Sequence, residues 1–137
     1  MIERTTLHGT MCCVSNIGVL ITGQPGTGKS TLAFTLLNKQ QQLISDDATD
    51  VYRYDSTLIT RCPPAIQNKL WINGFGLIDA KKHWGTHSIK MAQRLELIIA
   101  LCDDDSQQTD SETILGITIP KIYLRSNHHD SKKINHH

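Results

Sequence analysis

The sequence lacks two features that would point to a cofactor-built or polyanion-binding protein. Its four cysteines form no Cys-x-x-Cys pair, so neither a zinc site nor a disulfide framework is predicted, and reduced, partly buried thiols are expected. Charge of one sign is also missing, because 14 Lys and Arg residues stand against 13 Asp and Glu residues. The resulting formal charge of +1 gives no overall electrostatic footprint for a nucleic acid or an anionic membrane surface.

Long hydrophobic runs are absent as well. The longest apolar stretches, residues 17–21 and 97–101, are far too short to cross a bilayer. The first twenty residues contain Glu3, Arg4 and His8 and do not have the pattern of a signal peptide. We therefore expect no membrane partner and a cytoplasmic location.

The length and composition predict one folded domain. A chain of 137 residues with 39% hydrophobic and 20% charged residues can bury a core but leaves no room for a second domain of ordinary size. Residues 1–125 are predicted to form this domain. Few apolar groups occur after it, so residues 126–137 are expected to be a disordered polar tail.

Alternating and helical patterns place the elements along the chain. Residues 10–22 predict two strands broken at Ser15-Asn16, and residues 30–40 predict a helix. Residues 95–102 fit a buried strand and a helix equally, and the polar residues 103–112 predict a mobile surface loop. The remaining predicted strands are short: residues 51–53 and 58–60, which form a hairpin, 70–72, 77–78 and 114–124.

The strongest motif is the glycine-rich sequence Gly23-Gln-Pro-Gly-Thr-Gly-Lys-Ser30. It fits the P-loop pattern G-x-x-x-x-G-K-[ST], and it follows an apolar strand and precedes an amphipathic helix, as phosphate binding requires. In this interpretation Lys29 reaches the β- and γ-phosphates and the Ser30 hydroxyl is a ligand of Mg²⁺. The alternative is an accidental glycine-rich turn. The predicted nucleotide-binding residues are Gly23, Gln24, Pro25, Gly26, Thr27, Gly28, Lys29, Ser30 and Thr31.

Two adjacent acids end the next apolar stretch. Asp46 and Asp47 follow Leu43-Ile-Ser, soon after the predicted helix. A P-loop needs a carboxylate to hold magnesium or to orient the nucleophile, and two acids allow one to face the metal and the other the acceptor hydroxyl. The alternative is a solvated turn, where Asp is common. Trp71 and Trp84 are interpreted as packing residues rather than platforms for base stacking.

The order of several motifs resembles the catalytic domain of HPr kinase/phosphorylase over residues 7–124. The motifs are His8-Gly9, Val19-Leu-Ile-Thr-Gly23, the P-loop, Leu43-Ile-Ser-Asp-Asp47, Pro63-Pro64 and Asn73-Gly-Phe-Gly-Leu-Ile-Asp79. That family phosphorylates a serine of HPr, a phosphocarrier of the bacterial sugar phosphotransferase system, and reverses the reaction with inorganic phosphate. The resemblance implies an α/β fold with a P-loop core and a mixed β-sheet, similar to phosphoenolpyruvate carboxykinase.

The resemblance also implies roles for individual residues. Asp47 would take the proton from the acceptor serine, with His8 beside it. Lys29 would be the P-loop lysine, and Ser30 and Asp46 would hold Mg²⁺. ATP would be the phosphoryl donor, an HPr-like protein the acceptor, and the assembly a homo-oligomer, a hexamer in the family.

The chain departs from the family pattern at several positions. The family signature Leu-Glu-Ile-Arg-Gly-Leu-Gly reads Leu-Trp71-Ile-Asn73-Gly-Phe-Gly here, and no arginine occurs between Arg94 and Arg125. The family's amino-terminal domain and carboxy-terminal helix are not recognisable. The replaced glutamate helps to hold magnesium in the family, and tryptophan cannot ligate that ion. A nucleotide-binding relic or sensor without transfer activity is therefore the alternative function, ahead of a small-molecule kinase, for which an arginine-rich lid is lacking.

Overall fold

The computed structural model describes residues 2–103 and 109–126. Over these ranges the chain forms a mixed α/β fold with three sheets, two α-helices and two short 3-10 helices, Pro64–Ile66 and Thr86–Ser88. The α-helices are α1 (Lys29–Asn38) and α2 (Ala80–Trp84). The strands are β1 (Arg4–His8), β2 (Thr10–Val14), β3 (Ile17–Gly23), β4 (Gln42–Ser45), β5 (Ala48–Tyr54), β6 (Thr57–Arg61), β7 (Lys69–Ile72), β8 (Gly76–Asp79), β9 (Ala92–Arg94), β10 (Leu97–Cys102), β11 (Thr109–Ile114) and β12 (Ile117–Arg125).

The strands pair into one large sheet, one smaller sheet and a hairpin. The six-stranded sheet has the order β11-β12-β10-β3-β2-β4, with β10 parallel to both β3 and β12 and the other pairs antiparallel. The four-stranded sheet has the order β1-β5-β6-β9 and is antiparallel throughout. β7 and β8 form a separate antiparallel hairpin.

Two hydrophobic clusters cover the two faces of β3. Because successive side chains of a strand point to opposite faces, Leu20 enters one cluster while Val19 and Ile21 enter the other. The first cluster lies between the six-stranded sheet and the four-stranded sheet and includes Val51. The second contains Ala33 of α1. Burying a side chain such as Leu20, which is 1% exposed, stabilises the fold by about 1.5–3 kcal/mol.

Most of the predicted elements are confirmed. Ser15 and Asn16 have φ angles of 49° and 69°, which suit the tight turn between β2 and β3. The helix, the hairpin of β5 and β6, and the strands β7 and β8 lie where the patterns place them. The ambiguous run at residues 95–102 is a strand, β10, because it lies parallel to β3 and completes the sheet.

The prediction of a loop over residues 103–112 is wrong in part. Thr109–Ile114 is β11, an edge strand paired with β12, and Leu115 and Gly116 turn the chain between them with φ angles of 49° and 82°. An edge strand tolerates polar side chains on its exposed positions, so the composition of a strand and a loop can be alike here. Residues 104–108 lie outside the described residues.

The end of the domain and the thiols can be compared with their predictions. Ser126, where the tail was predicted to begin, is buried, and its N–H donates to Cys102 O at 2.7 Å; residues 127–137 lie outside the described residues. All four cysteines are free, and Cys12 and Cys13 are buried, as expected. In the described part of the chain, no helix is long and apolar enough to cross a membrane.

Candidate active site

The glycine-rich loop, residues 23–30, connects the end of β3 to the start of α1. Gly23 and Gly28 have φ angles of 149° and 95°, in the region that favours glycine. A Cβ atom on Gly23 would lie 2.6 Å from Thr27 Oγ1 and 2.8 Å from Leu101 O, so a side chain does not fit there. The Thr27 hydroxyl donates to Gln24 O at 2.7 Å and ties the loop into a ring.

The first turn of α1 faces this ring. Gly28 is the N-cap residue, and glycine has no side chain that could cap the first N–H groups of the helix. These groups and the positive end of the helix dipole are what an anion needs. Thr31, also in the first turn, is exposed and does not line the cleft described below.

Lys29 lies across the loop. Its Nζ donates to Gly23 O at 2.8 Å and lies 3.4 Å from Gln24 O. Both acceptors are main-chain carbonyls, which hold an ammonium group less strongly than an anion does. A phosphate at the loop could therefore take the ammonium from them.

A buried carboxylate joins the loop to two other elements. Asp46, at the end of β4, is 6% exposed. Its Oδ1 accepts hydrogen bonds from Ser30 Oγ at 2.8 Å and from Thr10 Oγ1 at 2.7 Å, and its Oδ2 accepts one from Trp71 N at 3.0 Å. Ser30 and Asp46, predicted as a pair, are thus in direct contact. Thr10 was not predicted, since a threonine at the start of a strand carries no signal of such a role.

Asp47 lies at the surface, whereas its neighbour Asp46 is buried. It is exposed, with φ at 70°, and forms the turn between β4 and β5. Its carbonyl accepts from Gly9 N at 2.9 Å, which draws the end of β1 to this turn. An open cleft of about 370 Å³ follows, lined by His8, Gly23, Gln24, Pro25, Lys29 and Asp47.

The glycine-rich loop is also held by Ser126, the last residue that the structure describes. The Ser126 hydroxyl donates to Thr27 O, although these residues are 99 positions apart. The carbonyl of Cys102, at the end of β10, holds the Ser126 N–H at 2.7 Å. No sequence motif announces this contact.

The residues at the loop fit a magnesium ion that is shared with a nucleotide. A hydroxyl and a carboxylate are hard oxygen ligands, and Ser30 and Asp46 hold theirs 2.8 Å apart. Magnesium is bound in proteins by one or two carboxylates together with substrate phosphates and water. The described residues contain no group of three or more His, Cys, Asp and Glu side chains that could hold a metal ion.

The two tryptophans have different surroundings. Trp84 packs edge-on against Phe34 with ring centroids 5.3 Å apart and donates to Asn38 Oδ1 at 2.9 Å, so its predicted packing role is confirmed. The same prediction is wrong for Trp71, whose side chain is 59% exposed on the hairpin of β7 and β8. Its main-chain N–H, rather than its ring, contacts Asp46.

Burial controls the thiol beside this network. Removal from water, the nearby charge of Asp46 and the neighbouring Cys13 together raise the pKa of Cys12 to about 12, and removal from water is the largest of these causes. The pKa of Cys62 is raised as well, chiefly by burial. Both thiols are therefore protonated at neutral pH and are poor nucleophiles.

Comparison with known proteins identifies the family of this chain. The family model of the HPr Serine kinase C-terminal domain matches residues 1–129. The HPr kinase/phosphorylases of a Polaromonas species and an Acidovorax species are each 35% identical over 133 residues, which cover 90% of this chain. The chain spans 42% of the length of these curated relatives.

A solved structure gives the same result for the fold. The Hpr(Ser) kinase/phosphatase from Coxiella burnetii superposes with a TM-score of 0.85 and 30% sequence identity, covering 96% of this chain and 92% of that chain. The resemblance inferred from the motifs and the mixed α/β fold are both confirmed. The chain belongs to the HPr kinase/phosphorylase family, in which it matches the C-terminal domain.

Proposed function

We propose that this domain is an ATP-dependent kinase that phosphorylates a serine of an HPr-like phosphocarrier. One observation carries the proposal: the glycine-rich loop, Lys29 and the pair Asp46 and Asp47 come together at one site, with Asp46 bonded to Ser30 and Asp47 in the cleft beside Lys29. The family membership supports the same reaction.

The loop is the proposed P-loop, in a core similar to that of phosphoenolpyruvate carboxykinase. Its N–H groups and the first turn of α1 bind the β- and γ-phosphates of ATP, and Lys29 exchanges its carbonyl partners for phosphate oxygens. Ser30 and Asp46 would hold Mg²⁺, which neutralises charge that develops on the phosphates. Positioning and charge neutralisation supply most of the rate.

Asp47 is the proposed base. It accepts the proton of the acceptor serine as the hydroxyl oxygen bonds to the γ-phosphorus and the bond between that phosphorus and ADP breaks. His8 lines the same cleft and is the proposed neighbour of Asp47 at the acceptor serine. In the reverse direction inorganic phosphate takes the phosphoryl group from phosphoserine as pyrophosphate, and protonated Asp47 returns its proton to the serine oxygen. We propose that both directions take place in the cytoplasm and in a homo-oligomer, a hexamer by resemblance.

A second candidate function is a nucleotide sensor without transfer activity. The specific observation in its favour is the hairpin of β7 and β8, where Trp71 and Asn73 stand at the positions of the family's Glu and Arg. Asp46 is then the carboxylate on which the metal depends. Losing one oriented metal ligand lowers metal affinity or rate by about ten- to a hundredfold.

One assay separates the two functions. The protein is mixed with Mg-ATP and HPr from the same cell, and acid-stable phosphoserine on HPr is measured. Transfer that disappears in Asp47→Asn supports the kinase, provided that the variant still binds nucleotide. Binding of nucleotide with no transfer to HPr supports the sensor.

A further inference from the structure

We propose that the outer face of the four-stranded sheet binds an acidic surface of the acceptor protein. The inference rests on the proposed function and names a docking surface for its substrate. The outer face consists of alternate residues that share one side of the sheet by register: Arg4, Thr6, His8, Ala48, Asp50, Tyr52, Ile59, Arg61, Ala92 and Arg94. The opposite side, with Val51 and Leu58, belongs to the core.

The outer face carries more positive charge than negative charge. Arg4, Arg61 and Arg94 are exposed. The ion pairs among the described residues are Lys69–Asp79 and Lys121–Glu112, so none of the three arginines forms an ion pair within this part of the chain. Arg4 instead lies over the ring of Tyr52 on the same face, 5.4 Å from its centroid. Because the whole chain has a formal charge of only +1, this concentration is local and marks one face.

The carboxylate on this face is already engaged. Asp50 lies in the same cross-strand row as Arg61 and Thr6. It is 7% exposed, and its Oδ1 accepts the Thr6 hydroxyl at 2.6 Å. Three exposed arginines therefore stand on this face against one buried carboxylate, and this excess of positive charge is complementary to an acidic partner.

A groove in the outer face has the size of a side chain. Its volume is about 210 Å³, with Asp50, Tyr52 and Arg61 on the sheet side. Lys90 lines it from the other side, and its Nζ lies 4.0 Å from Cys13 Sγ. The volume is below that of typical small-molecule pockets, roughly 300–1,000 Å³. The groove therefore has room for one side chain of the partner, and its charged lining consists of Arg61, Lys90 and Asp50.

The outer face continues into the candidate active site. β1 runs from Arg4 to His8, and His8 also lines the cleft with Asp47 and Lys29. Four residues of strand cover about 13 Å, less than the width of a small protein surface. A protein whose serine enters the cleft therefore covers the outer face at the same time. This continuity selects the acceptor protein over an unrelated acidic partner.

The test combines kinetics with charge reversal on the whole domain. Steady-state phosphorylation of HPr from the same cell gives KM for HPr and kcat. We expect Arg61→Glu to raise KM about tenfold while kcat and nucleotide affinity stay within twofold, since it changes encounter rather than chemistry. Arg61→Gln should give a smaller rise. Lys39→Glu makes the same charge change beyond the far end of α1 and should match the wild type.

Three results would overturn the docking surface. The first is a KM for Arg61→Glu equal to that of Lys39→Glu, and the second is a wild-type protein that does not bind HPr. The third is an oligomeric mass of Arg61→Glu, measured by light scattering, that differs from that of the wild type. This result would make the outer face an interface between copies of the chain. If Arg61→Glu does not fold, Arg4→Glu and Arg61→Gln replace it.

Binding of HPr without nucleotide, measured by calorimetry, separates this inference from the proposed function. A wild-type protein that binds HPr, loses affinity in Arg61→Glu and transfers no phosphate would keep the docking surface and refute the kinase. Transfer with unchanged affinity in Arg61→Glu would keep the kinase and refute the docking surface.

Discussion

The Thr10 hydroxyl and the Ser30 hydroxyl share one acceptor, Oδ1 of Asp46, at 2.7 and 2.8 Å. Thr10 is fully buried at the start of β2, whereas Ser30 is the residue that would turn toward a metal. In the proposed kinase, Thr10 and the Trp71 N–H keep the carboxylate in place when Ser30 leaves it. Thr10 is thus a positioning residue for Asp46.

Replacing Thr10 by valine tests this role. Thr10→Val keeps the shape but removes the donor, which should lower the free energy of unfolding by about 1–3 kcal/mol. It should also raise the Mg²⁺ concentration for half-maximal activity about tenfold, because Asp46 is no longer oriented. Urea unfolding and a Mg²⁺ titration of activity measure the two effects.

Two further variants show whether the effect on magnesium is specific. Thr10→Ser keeps a hydroxyl and should restore the Mg²⁺ dependence. Thr60→Val removes another fully buried threonine hydroxyl, one that donates to Gln93 O at 2.8 Å away from the site, and should lower stability without changing the Mg²⁺ dependence. Equal Mg²⁺ curves for Thr10→Val and Thr60→Val would contradict the positioning role.

The Ser126 hydroxyl, directly after the end of β12, supports the glycine-rich loop. Ser126→Ala leaves the carbonyl of Thr27, a residue that is 4% exposed, without this donor. The ring then loses part of its fixed shape, and we expect nucleotide affinity to fall about three- to tenfold. Equilibrium binding of a fluorescent ATP analogue measures the change. Ser111→Ala, an exposed change on β11, serves as the control, and equal affinities of the two variants would show that Ser126 does not support the loop.

The sequence predicted best what is contiguous in the chain. The glycine-rich loop, its flanking strand and its helix lie within residues 17–40, so one local pattern reports all three. Asp46 and Asp47 follow at once. The contacts of Thr10 and Ser126 join residues 36 and 99 positions apart, and an unremarkable Thr or Ser gives no local signal of either.

The outer face depends on information of another kind. Its arginines are spread over β1, β6 and β9, and they meet only because four strands pair in one register. β1 and β9 were not predicted, since they are short and have few apolar residues, and α2 was missed for the same reason. The net charge of the whole chain gave no sign of the positive outer face, because charges of both signs cancel in the sum but need not cancel on one side of a sheet.

Burial of Cys12 predicts a loss of stability in alkaline solution. Its pKa of about 12 in the folded protein lies above the ordinary value of 9.0, so the folded state favours the neutral thiol. The contribution of the neutral thiol to the free energy of unfolding is therefore complete below pH 9 and is lost as the pH rises toward 12. The free energy of unfolding falls over this range by up to about 1.4 kcal/mol per pH unit.

The slope is measured by urea unfolding at several pH values between 8 and 11. Cys12→Ala removes the titrating group, so the difference between this variant and the wild type isolates the thiol from lysine and tyrosine titration. As the pH rises, the free energy of unfolding of the wild type should fall relative to that of Cys12→Ala. A difference that is constant across this range would show that Cys12 titrates alike in the folded and unfolded states.

Restoring a carboxylate at position 71 tests the hairpin of β7 and β8 in the proposed site. Trp71 is 59% exposed, and its contact with Asp46 is made by the main chain, so Trp71→Glu should fold and keep that hydrogen bond. The resemblance implies that a glutamate here helps to hold magnesium. We expect Trp71→Glu to lower the Mg²⁺ concentration for half-maximal phosphorylation about tenfold, as an added oriented ligand would.

Leu77, opposite Trp71 in the hairpin and also 59% exposed, gives the matched control Leu77→Glu. An unchanged Mg²⁺ dependence in Trp71→Glu would mean that the hairpin does not reach the metal in this chain, and that Ser30 and Asp46 hold it without help from position 71. An equal gain in Leu77→Glu would mean that added negative charge on the hairpin, rather than a ligand at position 71, causes the effect.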